Sequence, residues 1–133
     1  IDIDEIVEAL EMVNENSTAY LNLDNGEIEW LSDFMEREEA EEISEKIESG
    51  NYARLPSQYE IHEYEMMEKF IETIPLPKIQ NELAAAISGK GAFRRFKNTV
   101  RFYRMENEWY EFRNCAYRTL SENWLEELKE KQF

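Results

Sequence analysis

Residues 89–97 read Gly-Lys-Gly-Ala-Phe-Arg-Arg-Phe-Lys, the stretch of this chain best suited to chemistry with an anion. Two glycines bracket Lys90 and let the backbone approach a ligand closely, and the residues that follow open a helix. A helix start presents unpaired N–H groups and the positive end of the helix dipole, and both favour negative charge. At about 100° of rotation per residue, Phe93, Phe96, Val100 and Tyr103 share one face, predicted to be core. Arg94, Lys97, Arg101 and Arg104 gather on the adjoining face, while Arg95 points elsewhere. The stretch is not a P-loop, because the long glycine-rich run, the lysine followed by Ser or Thr, and a preceding strand are all missing.

A second group lies farther on. Trp109, Phe112, Ala116, Leu120 and Trp124 form an apolar stripe with Arg113 in its midst. A guanidinium on an apolar face needs an acceptor, since an unpaired buried charge is very costly. Two readings stand side by side. Arg113 forms a structural ion pair with a carboxylate from residues 1–77, or it lines a partly closed cleft and grips a ligand phosphate or carboxylate bidentately. Tyr110 and Tyr117 flank the stripe and could stack on a base or bond a ligand through their hydroxyls. The candidate ligand contacts are therefore Gly89, Lys90, Gly91, Arg94, Lys97, Tyr110, Arg113 and Tyr117.

Other chemically capable residues carry less. His62 is the only histidine, which removes a histidine-rich zinc site, and its helical position sets it nearly opposite the apolar stripe, as an exposed polar residue. Glu65, Glu68 and Glu72 share a face with the oxygen ligands magnesium prefers, but glutamates on an exposed helix are ordinarily just solvated. Cys115, beside the core positions Phe112 and Ala116, is expected to pack. No acid, base and nucleophile assemble, so nothing supports catalysis, and no pattern points to a cofactor or a metal.

Charge is distributed unevenly. The chain of 133 residues carries a formal charge of −15, yet residues 1–77 hold 22 acids and four bases, whereas residues 78–118 hold nine bases and four acids. An acidic protein thus contains one basic island, which either pairs with the acidic half or faces an anion from outside. The single cysteine cannot make an internal disulfide, so the fold does not depend on an oxidising compartment. No leader pattern and no membrane-length apolar run is visible, and a cytoplasmic location is the expectation.

The elements that must position these residues follow from periodicity. Ile3, Ile6, Val7, Leu10 and Val13 mark an amphipathic helix over residues 2–15, with Asp2 and Asp4 at its positive end. Ala19, Leu21 and Leu23 alternate, Asp24-Asn25-Gly26 supplies a turn, and Ile28 and Trp30 resume the alternation, which predicts a hairpin over residues 18–31. A hairpin alone is marginal in water, so it must pack on helices or pair with a further strand, for which residues 52–55 are the candidate. Helices are predicted over residues 33–49, over 57–74 behind a Ser57–Glu60 capping box, over 79–87, 92–104 and 107–129. Tyr64, Met67, Ile71 and Ile74 form the predicted buried face of the 57–74 helix, against which Trp109, Phe112 and Trp124 are expected to lie. The expectation is an α+β fold, one mostly helical domain over residues 1–133 with a small antiparallel sheet that includes the N-terminal hairpin.

Taken together, Gly-Lys-Gly-Ala-Phe-Arg-Arg-Phe-Lys at residues 89–97, Trp-Tyr-Glu-Phe-Arg-Asn-Cys-Ala-Tyr at 109–117 and Glu-Asn-Trp-Leu-Glu-Glu-Leu at 122–128 resemble the bacterial uncharacterised protein family (UPF) 0158. The upstream segment at residues 55–74, an extended Leu-Pro leading into a helix, also fits the family pattern. The resemblance covers residues 54–126 well and the N-terminal helix and hairpin loosely. The family's motif residues fall here on Gly89, Gly91, Phe93, Arg94, Phe96, Lys97, Trp109, Tyr110, Phe112, Arg113 and Trp124. The resemblance implies no activity.

Three functions compete. The first is a binding module for a phosphorylated or otherwise anionic, nucleotide-like small molecule at the basic helix start. The second is an acidic interaction protein that engages a basic protein partner through residues 1–77, by way of long-range steering or nucleic-acid mimicry. The third, direct nucleic-acid binding, ranks last because the island is short and the overall charge repels a polyanion.

Overall fold

The computed structural model describes residues 2–131. The chain is α+β: helix α1 (Ile3–Met12), strands β1 (Ser17–Asn22) and β2 (Ile28–Ser32), helix α2 (Arg37–Ser49), strand β3 (Tyr52–Arg54), the single-turn helix α3 (Gln58–Ile61), and helices α4 (Glu63–Glu72), α5 (Pro77–Ala86), α6 (Ala92–Phe102) and α7 (Glu106–Lys131). No described helix is long and apolar enough to cross a membrane. The chain divides into two compact units. His62–Ala116 makes one, and the chain before and after it makes the other.

The first unit contains the sheet. Antiparallel strands run in the order β2-β1-β3, so the 52–55 segment supplies the third strand that stabilises the hairpin. Ala19 stands opposite Trp30 and Leu21 opposite Ile28, while Leu21 also faces Ala53. Asn22 holds the hairpin turn, its side-chain oxygen accepting from the N–H groups of Asp24 at 2.8 Å and Asn25 at 3.2 Å. Because side chains alternate along a strand, Ala19 and Leu21 are both buried, as are Ile6, Ala9 and Leu10 on α1. Asp2 caps α1 by accepting from Asp4 N–H at 2.9 Å, and Asp4 in turn pairs with Arg118. The expected helix over residues 33–49 starts later, at Arg37, because the Ser32 hydroxyl accepts from Phe34 N–H and holds the preceding residues in a turn. No residue of α2 is buried.

The predicted helix over residues 57–74 is two helices. The capping box forms as read: Glu60 N–H donates to the Ser57 hydroxyl and Ser57 N–H to the Glu60 carboxylate, both at 3.3 Å. The chain then breaks at His62, whose φ of 55° is left-handed, and α4 begins on the next residue. The physical reason is phase. Nine residues of continuous helix would turn Ile61 about 180° away from Phe70, and both are buried. One residue out of helical conformation lets each bury its own apolar side. His62 is exposed, as expected.

The second unit is helical around an aromatic core. Phe70 from α4 meets Phe96 from α6 edge-on with centroids 6.1 Å apart, and Trp109 from α7 packs on Phe70 at 5.3 Å and Phe96 at 4.8 Å. Such edge-to-face pairs contribute beyond their buried area. The buried face of α4 is Met66, Met67, Phe70 and Ile71, and Tyr64 stands partly out of it, its hydroxyl donating to the Ile87 carbonyl at 2.8 Å. Trp109 is buried as expected and Phe112 only half-buried, while Trp124, also half-buried, belongs to the first unit. On α6 the buried positions are Ala92, Phe96 and Val100, a four-residue repeat that rotates the core face away from Phe93, which is 48% exposed rather than core. Cys115 is likewise exposed rather than packed, because it lies about 120° round α7 from Trp109.

Candidate functional site

Helix α6 is anchored at both ends, and the two anchors use its residues differently. At the start, Arg95 folds back over the α5–α6 turn. Its Nε donates to the Ala86 carbonyl at 2.9 Å, its Nη1 to the Lys90 carbonyl, and its Nη2 to the carbonyls of Ser88 and, at 3.5 Å, Gly89. A guanidinium fork thereby satisfies the last carbonyl of α5 and three carbonyls of the turn that follows it, where positive charge is also favoured by the helix dipole. Gly89 and Gly91 both have positive φ, 74° and 78°, and a Cβ on Gly91 would sit 2.9 Å from Arg95 Nη1. The two glycines therefore serve the turn itself and the arginine that closes it.

At the other end, Arg104 adopts the left-handed conformation with φ 55°. Arg104 N–H donates to the Arg101 carbonyl at 3.0 Å and Met105 N–H to the Val100 carbonyl at 2.9 Å, the paired bonds of a Schellman motif. The Tyr103 hydroxyl donates to the Glu82 carboxylate, which ties α6 to α5 and raises the phenol above its ordinary pKa. That motif turns the chain directly into α7, whose first turns then face the later half of α6.

Between them lies a cleft of about 400 Å³, lined by Glu63, Lys97, Val100, Arg101, Glu106, Trp109, Tyr110 and Arg113. Val100 and Trp109 are buried apolar walls. Lys97 and Arg101, one turn apart on α6, are exposed and form no ion pair among the described residues. Arg113 Nε donates to the Glu63 carboxylate at 2.8 Å, and both side chains retain partial exposure, 21% and 30%. The cleft thus holds three cations against two carboxylates, with Arg113 bonded to Glu63 and with Lys97 and Arg101 exposed and without an ion pair among the described residues.

The structure brings together three of the eight predicted contacts: Lys97, Tyr110 and Arg113. Gly89, Lys90 and Gly91 lie at the α5–α6 turn and Arg94 is exposed on α6; none of the four lines the cleft. Tyr117 is buried in the other unit, where its carbonyl accepts from the Ser121 hydroxyl at 2.8 Å. The acceptor expected for Arg113 from residues 1–77 is Glu63. Sequence reasoning missed Glu63 and Glu106 as cleft residues. It placed Arg101 on the basic stripe without counting it as a contact, although a cation four residues after Lys97 was the available signal. Glu63 had no such signal, because it enters the cleft as the first residue after the break at His62. No cluster of three or more His, Cys, Asp or Glu residues is placed to hold a metal among the described residues.

The model of the uncharacterised protein family UPF0158 matches residues 1–133. The chain belongs to that family. The match takes in the N-terminal helix and hairpin that the sequence motifs covered only loosely, and also the segments of this UPF0158 chain that build the cleft, His62–Glu63, α6 and the start of α7. No curated protein and no solved structure matches the chain.

Proposed function

We propose that this protein binds a small phosphorylated ligand of nucleotide type in the cleft between α6 and the start of α7. The observation that carries the reading is the pair Lys97 and Arg101, exposed, without an ion pair among the described residues and one turn apart on the rim of a cleft walled by Val100 and Trp109. A phosphate bridging the two gains charge-assisted hydrogen bonds from groups that face only water in its absence. Arg113 stands behind them, held in place by Glu63, and adds positive charge to the cleft. Tyr110, 58% exposed at the rim, gives a base or similar flat group a ring to stack on.

The test is calorimetric titration of the full chain at low salt with inorganic phosphate, a sugar phosphate, a nucleoside monophosphate and the matching uncharged nucleoside. A nucleoside monophosphate should bind best, the nucleoside weakly, and added salt should weaken the former. Lys97→Ala with Arg101→Ala should abolish the heat while changing folding stability by less than about 0.5 kcal/mol, since exposed charges contribute little to the fold. If none of the phosphorylated compounds releases heat on wild type, the reading fails.

A further inference from the structure

The geometry of the first unit points to a second and different surface: we propose that the groove between α1 and the β-hairpin docks a basic segment of a partner protein, with one arginine or lysine side chain laid against the indole of Trp30. The groove has a volume of about 540 Å³ and lies wholly within that unit. Its floor is Ala9 and Met12 from α1 with Ile28 and Trp30 from β2, and its rim carries Glu5, Glu8 and Glu27.

Helical spacing puts residues 5, 8, 9 and 12 on one side of α1, and strand alternation puts Ile28 and Trp30 on one side of β2, opposite the buried Leu21 and Ala19. The floor is not closed by the protein itself. Met12 is 66% exposed, and Ile28 and Trp30 remain half-buried. An apolar strip of this kind exposed beside charge marks a contact surface rather than a core.

Charge complementarity selects the occupant. None of Glu5, Glu8 and Glu27 forms an ion pair among the described residues. Lys46 of α2 is taken by Glu29, which alternates to the other face of β2, and Glu27 is only the last of the influences that raise its pKa. Three carboxylates around an apolar floor repel one another until a cation arrives. Arginine and lysine match both parts, because their aliphatic stems cover apolar surface while the head meets carboxylates or the face of an indole. A protein segment fits better than a small free cation, because the acidic field does not end at the groove. With 18 acids against three bases over residues 1–61 of this unit, exposed glutamates along α2 among them, the surroundings can steer and hold the charges on either side of the inserted residue.

The experiment is fluorescence anisotropy of the full chain with a labelled peptide of alternating arginine and glycine, at low and moderate salt. Two triple variants separate the groove from charge in general. Glu5→Gln, Glu8→Gln and Glu27→Gln remove the rim, and Glu38→Gln, Glu42→Gln and Glu45→Gln remove equal charge from α2. The rim variant should raise Kd about tenfold or more and the α2 variant less than about threefold. Trp30→Leu, which keeps the floor apolar, should also weaken the peptide several-fold by removing the ring face. Equal weakening by the two triple variants would reduce the effect to net charge and overturn the proposal. So would a free polyamine that competes as tightly as the peptide binds, since the groove would then be a small-cation site.

Discussion

The α5–α6 turn and the cleft above Trp109 both take cations from α6, and the two places treat them differently. In the turn, Arg95 meets four main-chain carbonyls, so its charge is fully engaged in closing the backbone. In the cleft, Lys97 and Arg101 meet no carboxylate among the described residues, while Arg113 is held by Glu63. The density of basic residues is much the same in both places. What differs is the supply of acceptors. A helix end leaves carbonyls that need donors, whereas the middle of a helix has none to offer. A basic stretch marks a candidate binding site only after the cations that the backbone needs have been subtracted.

Substituting Arg95 gives the largest expected effect. Arg95→Ala should lower folding stability by about 2–3 kcal/mol, as charged hydrogen bonds are lost at a partly buried turn. Arg95→Lys should recover little of it, because an ammonium cannot reproduce a fork aimed at separated carbonyls. Urea denaturation of the two variants checks both. If Arg95→Ala is as harmless as Lys97→Ala, the contrast between turn and cleft collapses, and Arg95 has to be counted for the first time among the ligand candidates.

The same contrast explains what was legible in the sequence. Elements with strong local signals were: the hairpin and its Asn-containing turn, the Ser57–Glu60 capping box, the amphipathic first helix and the long last one. Of the candidate site, Lys97, Tyr110 and Arg113 were legible because helix geometry alone brings them to a face. The glycines around Lys90 are ambiguous in the sequence, since a backbone that must approach a ligand and one that must turn tightly ask for the same residue. The break at His62 was hidden for a different reason. No glycine or proline marks it, and only the need to bury both Ile61 and Phe70 produces it. Arg104 is a parallel case at the end of α6, a non-glycine residue in a conformation that favours glycine.

Arg104 therefore offers a smaller and opposite effect. Arg104→Gly should stabilise the fold by about 1 kcal/mol by relieving the left-handed backbone, with the Schellman bonds retained. Thermal denaturation would register the rise. A loss of stability would mean that the Arg104 side chain, and not its backbone bonds alone, holds α6 to α7, and would count Arg104 among the engaged cations.

The smallest effect concerns Arg54, an engaged cation at the surface. Its Nη2 donates to the Glu60 carboxylate at 2.9 Å, and this bond is the main reason that the Glu60 pKa lies below the ordinary glutamate value; the Ser57 N–H and hydroxyl add to it, and burial opposes it. The sign follows from which form the fold favours. The folded state holds Glu60 ionised, so its contribution is complete above the ordinary glutamate value and disappears as the pH falls through the lowered one. Both side chains are about half exposed, so solvent screening keeps the contribution under about 1 kcal/mol. Arg54→Ala should raise the Glu60 pKa in a carbon-detected NMR titration, yet leave it somewhat depressed, because the capping box at Ser57 remains. Full return to the ordinary value would assign the whole effect to the arginine and leave the capping box without electrostatic weight. No movement at all would show that Arg54 is as unengaged in solution as Lys97 and Arg101, and that proximity to a carboxylate does not by itself distinguish a cation in use from one left for a ligand.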